Sequence, residues 1–186
     1  MTLVLASRSP QRRAILEQLG VPFVARPVDV EEDDAGEPNA VALANARRKA
    51  LAAGAAEGEV VLGVDTIVVI DGEIWGKPAD SDAAAATLRR LSGRTHAVVS
   101  GVAIARPDGS VEPATATTAV TFRELTPWLV DWYVATREWE DRAGAYAIQG
   151  RGAALVERIE GDYLNVVGLP VAMLVELWPW LLDIST

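Results

Sequence analysis

The sequence contains no cysteine and a single histidine, His96. Disulfides, thiolate nucleophiles and Cys-ligated zinc are therefore excluded, as is a multi-histidine metal site within one chain. Any metal must be held by carboxylates, carbonyls and water, which favours Mg²⁺ or Mn²⁺. Positive charge is also scarce. Seventeen Lys and Arg stand against 26 Asp and Glu, for a formal net charge of −9. Nucleic-acid binding needs a broad basic face and is not expected. The longest apolar runs are broken by Asp, Glu, Gly or Pro, so no membrane span is expected. Met1–Ala6 is too short and lacks the basic leader of a secretory signal, so the expected location is cytoplasmic. No internal repeat or low-complexity linker divides the 186 residues, half of which are hydrophobic. One domain over 1–186 is expected, with a single core or two small lobes sharing a cleft.

The pattern of elements is mixed. TLVLA, residues 2–6, reads as a buried strand, followed by Ser9 as an N-cap and Pro10 at the first helical position. The stretch VARPVDVEEDDAGEPN reads as a strand entering an acidic loop, and helix resumes through ALANARRKALAAG. VVLGVDTIVVI is the strongest strand signal, and Asp71-Gly72 after it is a hairpin dipeptide. Ser81 is expected to cap a helix ending near Gly93. Two strands joined at Pro107-Asp108-Gly109 follow, then a helix from Thr126-Pro127. The glycine-punctuated run from Gly144 to Gly168 reads as β-like, and a last helix from Pro170 is expected to break at Pro179. Strands and helices interleave with hairpins. The fold class is α/β, a mixed sheet with flanking helices.

Several residues do not behave like core. Asp65 sits in the apolar run VVLGVDTIVVI, where a bare carboxylate costs several kcal/mol unless it is paired, protonated or at the mouth of a cleft. Arg8, Arg12 and Arg13 crowd the start of the first helix, where backbone N–H groups and the helix dipole also attract anions. Lys49 lies in the basic run NARRKA, and Lys77 on the stiff turn GKP. Cations and carboxylates without Cys or a His cluster suit phosphate chemistry with a hard metal. Gln149, flanked by glycine in AIQG, offers one acceptor and one donor side by side, which matches the imide edge of uracil or thymine. His96 is expected to be structural, bonding a loop.

The blocks LASRSPQRRAIL, GVDTIVV, GKPAD, LSGRTHAVVSGVAI, AGAYAIQGRGA and GDYLNVVGLP, in this order, resemble the Maf family of nucleoside triphosphate pyrophosphatases. The resemblance covers Leu3 to beyond Pro170. It implies a two-lobed fold around a central cleft, related to inosine triphosphatase, and a divalent metal cofactor. It places a phosphate and specificity contact on Arg12, and Ser7 and Arg13 beside it are further candidate substrate contacts. Arg12 and Lys77 are expected to face phosphate and not core. The family glutamate falls on Glu31 or Glu32, with Glu32 preferred as the metal carboxylate. Asp65 becomes the catalytic base or a metal ligand, Lys49 and Lys77 catalytic cations, and Thr66 and Gln149 substrate contacts. Arg, Thr and Gln at 12, 66 and 149 resemble the dTTP/UTP-specific subgroup, whereas the 7-methyl-GTP subgroup carries glutamate in place of the glutamine. Competing readings are an inosine- or 7-methylguanine-type pyrophosphatase and a nucleotide-sensing regulator of septum formation. Gln11, Ser100 and Ala147 depart from the family blocks, and Ala147 is expected to alter the turn presenting Gln149. Trp128, Trp132, Trp139, Trp178 and Trp180 leave room for a homodimer interface as well as for core.

Overall fold

The structure is a computed structural model that describes residues 1–182; residues 183–186 of the expected domain lie outside that range. One seven-stranded mixed sheet runs through it. Its strands are β1 (Thr2–Leu5), β2 (Phe23–Ala25), β3 (Glu59–Ile70), β4 (Glu73–Trp75), β5 (Thr95–Ala105), β6 (Val111–Phe122) and β7 (Val156–Glu160). The order is β2-β1-β3-β5-β6-β7, with β4 paired to β3. β1 runs parallel to β2 and β3, and the other pairings are antiparallel. The helices are α1 (Pro10–Gln18), α2 (Pro38–Ala53), α3 (Ser81–Leu91), α4 (Pro127–Ala135), α5 (Tyr163–Val167) and α6 (Val171–Leu177). None of the described helices is long and apolar enough to cross a membrane.

Even-numbered residues of β3 share one face of the sheet and enter two separate apolar clusters, one for each lobe. Val60, Leu62 and Val64 join Leu5, Leu16, Leu174 and Trp178 in one apolar cluster. Val68 and Ile70 join Leu88, Phe122, Tyr133 and Tyr146 in another. Thr66 lies between them on the same face of β3, and its partner across β5 is Ser100. The apolar pattern therefore fails at one cross-strand pair, and the cleft opens there. The other face of the sheet is covered by α2, with Ala46 and Ala50 against Val4, Val61 and Ala103.

The edge of β3 adds a second opening. Its pairing with β1 ends at Leu62, and its pairing with β4 begins at Val68. The intervening residues face the chain that leaves β1 at its carboxyl end and turns into α1, a usual place for a ligand crevice in sheets of this kind.

Most elements match the sequence pattern. Ser9 caps α1 by accepting the Arg12 N–H, and Thr126 caps α4 by accepting the Leu129 N–H. Asp80, not Ser81, caps α3 by accepting the Ala83 N–H. The run from Gly144 to Gly168 is largely not strand: only Val156–Glu160 pairs, and the rest forms 3-10 turns and the short α5. Pro179 does break the chain after α6, and a 3-10 turn follows.

Candidate active site

Asp65 is 5% exposed and faces α2, because it lies on the opposite side of β3 from Thr66. Asn45 and Lys49 are four residues apart on α2, so both project onto it. Lys49 Nζ donates to Asp65 Oδ1 at 2.6 Å, and Asn45 Nδ2 donates to Asp65 Oδ2 at 3.0 Å. Lys49 Nζ also pairs with Glu32 Oε1 at 2.8 Å. The acidic loop is pinned by the same asparagine: the Asp33 N–H donates to Asn45 Oδ1 at 2.8 Å, and Asn45 Nδ2 donates to the Asp33 carbonyl at 2.9 Å. The buried carboxylate is thus paired and hydrogen-bonded, as its environment requires.

Glu32 and Asp65 already converge on one cation. Among the described residues no three acidic, His or Cys side chains gather into a group able to hold a metal alone. Two carboxylates in reach of a phosphate-sized cleft fit Mg²⁺ or Mn²⁺, which takes its other oxygens from phosphate and water. Of the two glutamates, Glu32 lines the cleft and Glu31 does not; the Glu31 carbonyl instead accepts from Arg48.

On the other face of β3 lies Arg12. It is 8% exposed and is more a part of the core than a projecting cation. Nε donates to the Gly168 carbonyl at 2.8 Å, Nη1 to Ser7 Oγ at 2.9 Å and Nη2 to Thr66 Oγ1 at 3.0 Å. Thr66 Oγ1 in turn lies 2.9 Å from Ser100 Oγ. Burial pushes the Arg12 guanidinium down from its ordinary range, while the Asp65 and Glu32 carboxylates push it back up. The expectation that Arg12 faces phosphate and not core needs correction: it lines the cleft while bracing α1, β3 and the Gly168 loop.

The cleft has a volume of about 520 Å³. Ser7, Arg12, Glu32, Lys49, Asp65, Thr66, Lys77 and Gln149 all line it. Arg13 does not; it is exposed on the outer side of α1, and Arg8 takes the place at the cleft. Lys77 is largely exposed, 4.0 Å from Asp141. Its turn is held by the Gly144 N–H donating to the Gly76 carbonyl at 3.3 Å.

Gln149 is exposed on a turn closed by the Gly150 N–H donating to the Ala147 carbonyl at 3.1 Å. Ala147 has no left-handed backbone, so its departure from glycine does not strain the turn; the left-handed residues are Gly144 and Ala145. His96 is buried, with Nε2 2.9 Å from the hydroxyl of Tyr146, whose segment leads into that turn. Burial lowers its pKa to about 4.

Asn45, Ser100 and Arg142 line or support the site and were not singled out as site residues from sequence. Asn45 had a signal: its spacing of four from Lys49 puts both on one helical face. Ser100 is visible only through the β3–β5 register.

Residues 2–179 match the family described as Maf-like protein. The chain is 52% identical to a dTTP/UTP pyrophosphatase of Moorella thermoacetica, over 94% of this chain and 92% of the relative. It is 46% identical to a dTTP/UTP pyrophosphatase of Pyrococcus furiosus, over 94% and 93%. The fold resembles that of a solved HAM1 protein from Coxiella burnetii, at 18% identity and a TM-score of 0.51, covering 83% of this chain and 91% of that one. The ordered motifs, the cleft they line and these matches lead to one assignment: the chain belongs to the Maf family.

Proposed function

We propose that this protein is a pyrophosphatase that hydrolyses dTTP and UTP to the nucleoside monophosphate and pyrophosphate, working as one domain in the cytoplasm. The observation that carries the reading is the Asp65 carboxylate, held by Lys49 and Asn45 beside a cleft floored by Arg12. Relatives of closely similar sequence bear the name of that activity.

In this reading a water attacks the α-phosphorus and passes a proton to Asp65. The new P–O bond forms as the bond from the α-phosphorus to the bridging oxygen breaks, and pyrophosphate leaves. Lys49, Lys77 and Arg12 neutralise charge on the phosphates, with Arg8 at the rim. Mg²⁺ or Mn²⁺ held by Asp65 and Glu32 supplies further charge neutralisation when bound. Ser7 and Thr66 hold the Arg12 guanidinium in place. Gln149 pairs its amide with the pyrimidine imide.

The test is pyrophosphate release from dTTP, UTP, GTP, 7-methyl-GTP and inosine triphosphate, with and without Mg²⁺. Metal-dependent turnover with dTTP and UTP preferred is expected. Preference for a purine, or binding without turnover, overturns the reading.

A further inference from the structure

Gln149 stands on an exposed turn, yet reading a base edge requires that its amide be held in register. The structure shows what holds it. Two residues outside the cleft lining grip the two ends of the turn. The Ala147 N–H donates to the Tyr133 hydroxyl at 2.9 Å, and the Arg151 N–H donates to Glu138 Oε2 at 2.7 Å. Tyr133 belongs to α4 and is fully buried. Glu138 belongs to the turn just after α4, which is itself tied down. The Thr136 hydroxyl donates to the Tyr133 carbonyl at 2.7 Å, and the Glu138 N–H donates to Thr136 Oγ1 at 3.2 Å. The neighbouring Trp139 is buried and donates its indole N–H to the Val134 carbonyl at 2.9 Å.

Gly150 bears on the same contact. A Cβ at this position would overlap the Glu138 carboxylate. The carboxylate therefore lies against Gly150, the residue after Gln149, in space that a side chain there would take.

We infer that Glu138 is a positioning residue for base selection, acting with Tyr133 to fix the Gln149 turn. A carboxylate accepting a backbone N–H makes a strong, directional bond. Tyr133 fixes the start of the turn and Glu138 its end. Without Glu138 the Gln149 amide samples orientations that do not face the imide, and substrate binding weakens while the phosphate chemistry at Asp65 is untouched. The inference rests on the proposed reading of the base by Gln149.

The experiment compares Glu138→Ala, Glu138→Gln, Gly150→Ala and Gln149→Ala. Steady-state kinetics use UTP and GTP, and inhibition is measured with UMP and with pyrophosphate. Glu138→Ala is expected to raise KM for UTP about 5- to 50-fold and to weaken UMP inhibition in parallel. Its kcat and its inhibition by pyrophosphate stay within about twofold, because that part of the cleft is unchanged. Glu138→Gln keeps an acceptor oxygen and restores most of the affinity. Gly150→Ala pushes the carboxylate off the Arg151 N–H and reproduces the Glu138→Ala effect. Combining the two adds little, since both break one contact. Gly150→Ala also serves where Glu138→Ala yields too little folded protein. The inference is overturned if Gln149→Ala loses the preference for UTP over GTP while Glu138→Ala and Gly150→Ala keep both KM and preference. It is overturned together with the base reading if Gln149→Ala itself leaves the preference unchanged. A fall in kcat with unchanged KM also overturns it.

Discussion

Asp65→Asn separates catalysis from structure in this site, because the hydrogen-bond directions around Asp65 are fully determined. Asn45 cannot turn its amide over: its oxygen already accepts from the Asp33 N–H and from Arg48 Nη1 at 2.9 Å. Its nitrogen must therefore face position 65. A new amide at 65 keeps its oxygen toward Lys49, and its NH₂ then meets the NH₂ of Asn45, donor against donor. One buried polar group left unpaired costs about 1–3 kcal/mol. For a chain of this size that lowers the melting temperature by roughly 3–10 °C. The amide also takes no proton, and loss of a general base costs about 10²–10⁴-fold in rate. The double variant Asp65→Asn/Asn45→Asp restores donor-to-acceptor order between the two positions, at the cost of the bond that Asn45 Nδ2 gives the Asp33 carbonyl, and sets the new carboxylate beside Arg48 and Lys49. It is expected to regain part of the lost melting temperature while activity stays low, since the carboxylate now lies on α2. Calorimetry and pyrophosphate release report the two quantities separately. Near-wild-type activity in folded Asp65→Asn, or recovery of activity along with stability in the double variant, refutes Asp65 as the base.

The two cations should behave differently from each other. Arg12→Ala removes three hydrogen bonds from a buried guanidinium and should cost about 3 kcal/mol or more as well as activity. Lys77→Ala, at an exposed side chain, should leave the melting temperature within about 1 °C and lower kcat/KM; equal losses of stability in the two would contradict this assignment. Gln149→Glu, also exposed, should keep the fold and lower kcat/KM for dTTP and UTP about 5- to 150-fold by setting an acceptor against O4. Activity on GTP and 7-methyl-GTP should rise relative to these, and an unmoved ratio removes Gln149 from base recognition. His96 gives a pH signature. It is neutral in the fold down to about pH 4, whereas the unfolded chain takes up a proton below about pH 6.5. Its contribution is therefore complete above pH 6.5 and is lost as pH falls toward 4, by about 2 kcal/mol at pH 5. His96→Gln should flatten this part of the stability curve, and an unchanged slope between pH 7 and 5 would show that other groups set it.

Much of the fold was legible because local chemistry and tertiary packing agree. The Ser9-Pro10 and Thr126-Pro127 caps, the Asp71-Gly72 turn and the apolar run of β3 each carry a signal that the surroundings do not override. The region from Gly144 to Gly168 was misread because its small and apolar residues pack against the α3–α4 lobe with backbone bonds closed locally, not across a sheet. In the site, Asp65 was legible as an anomaly of burial, and the cations as members of motifs. Arg13 was not distinguishable from Arg12 by composition. One residue along a helix turns the side chain by about 100°, and that rotation puts Arg12 in the core and Arg13 in solvent.

The same geometry explains why two glycines belong to the site without facing the cleft. A Cβ at Gly63 would overlap the Ala46 carbonyl, and one at Gly101 the Ala42 carbonyl. Both glycines lie on the α2 side of β3 and β5, and Asp65 pairs directly with Gly101 across the ladder. Their missing side chains let the α2 backbone lie directly on the sheet. Only at that approach do the side chains of Asn45 and Lys49 reach Asp65 at hydrogen-bond distance. The short alanines of α2 serve the same end, since Ala42, Ala46 and Ala50 pack directly against the sheet. A helix held off by larger residues would leave the carboxylate buried and unpaired, a state that costs several kcal/mol. The apolar packing of α2 and the charge state of Asp65 are thus one constraint, written into the sequence as small residues on both surfaces.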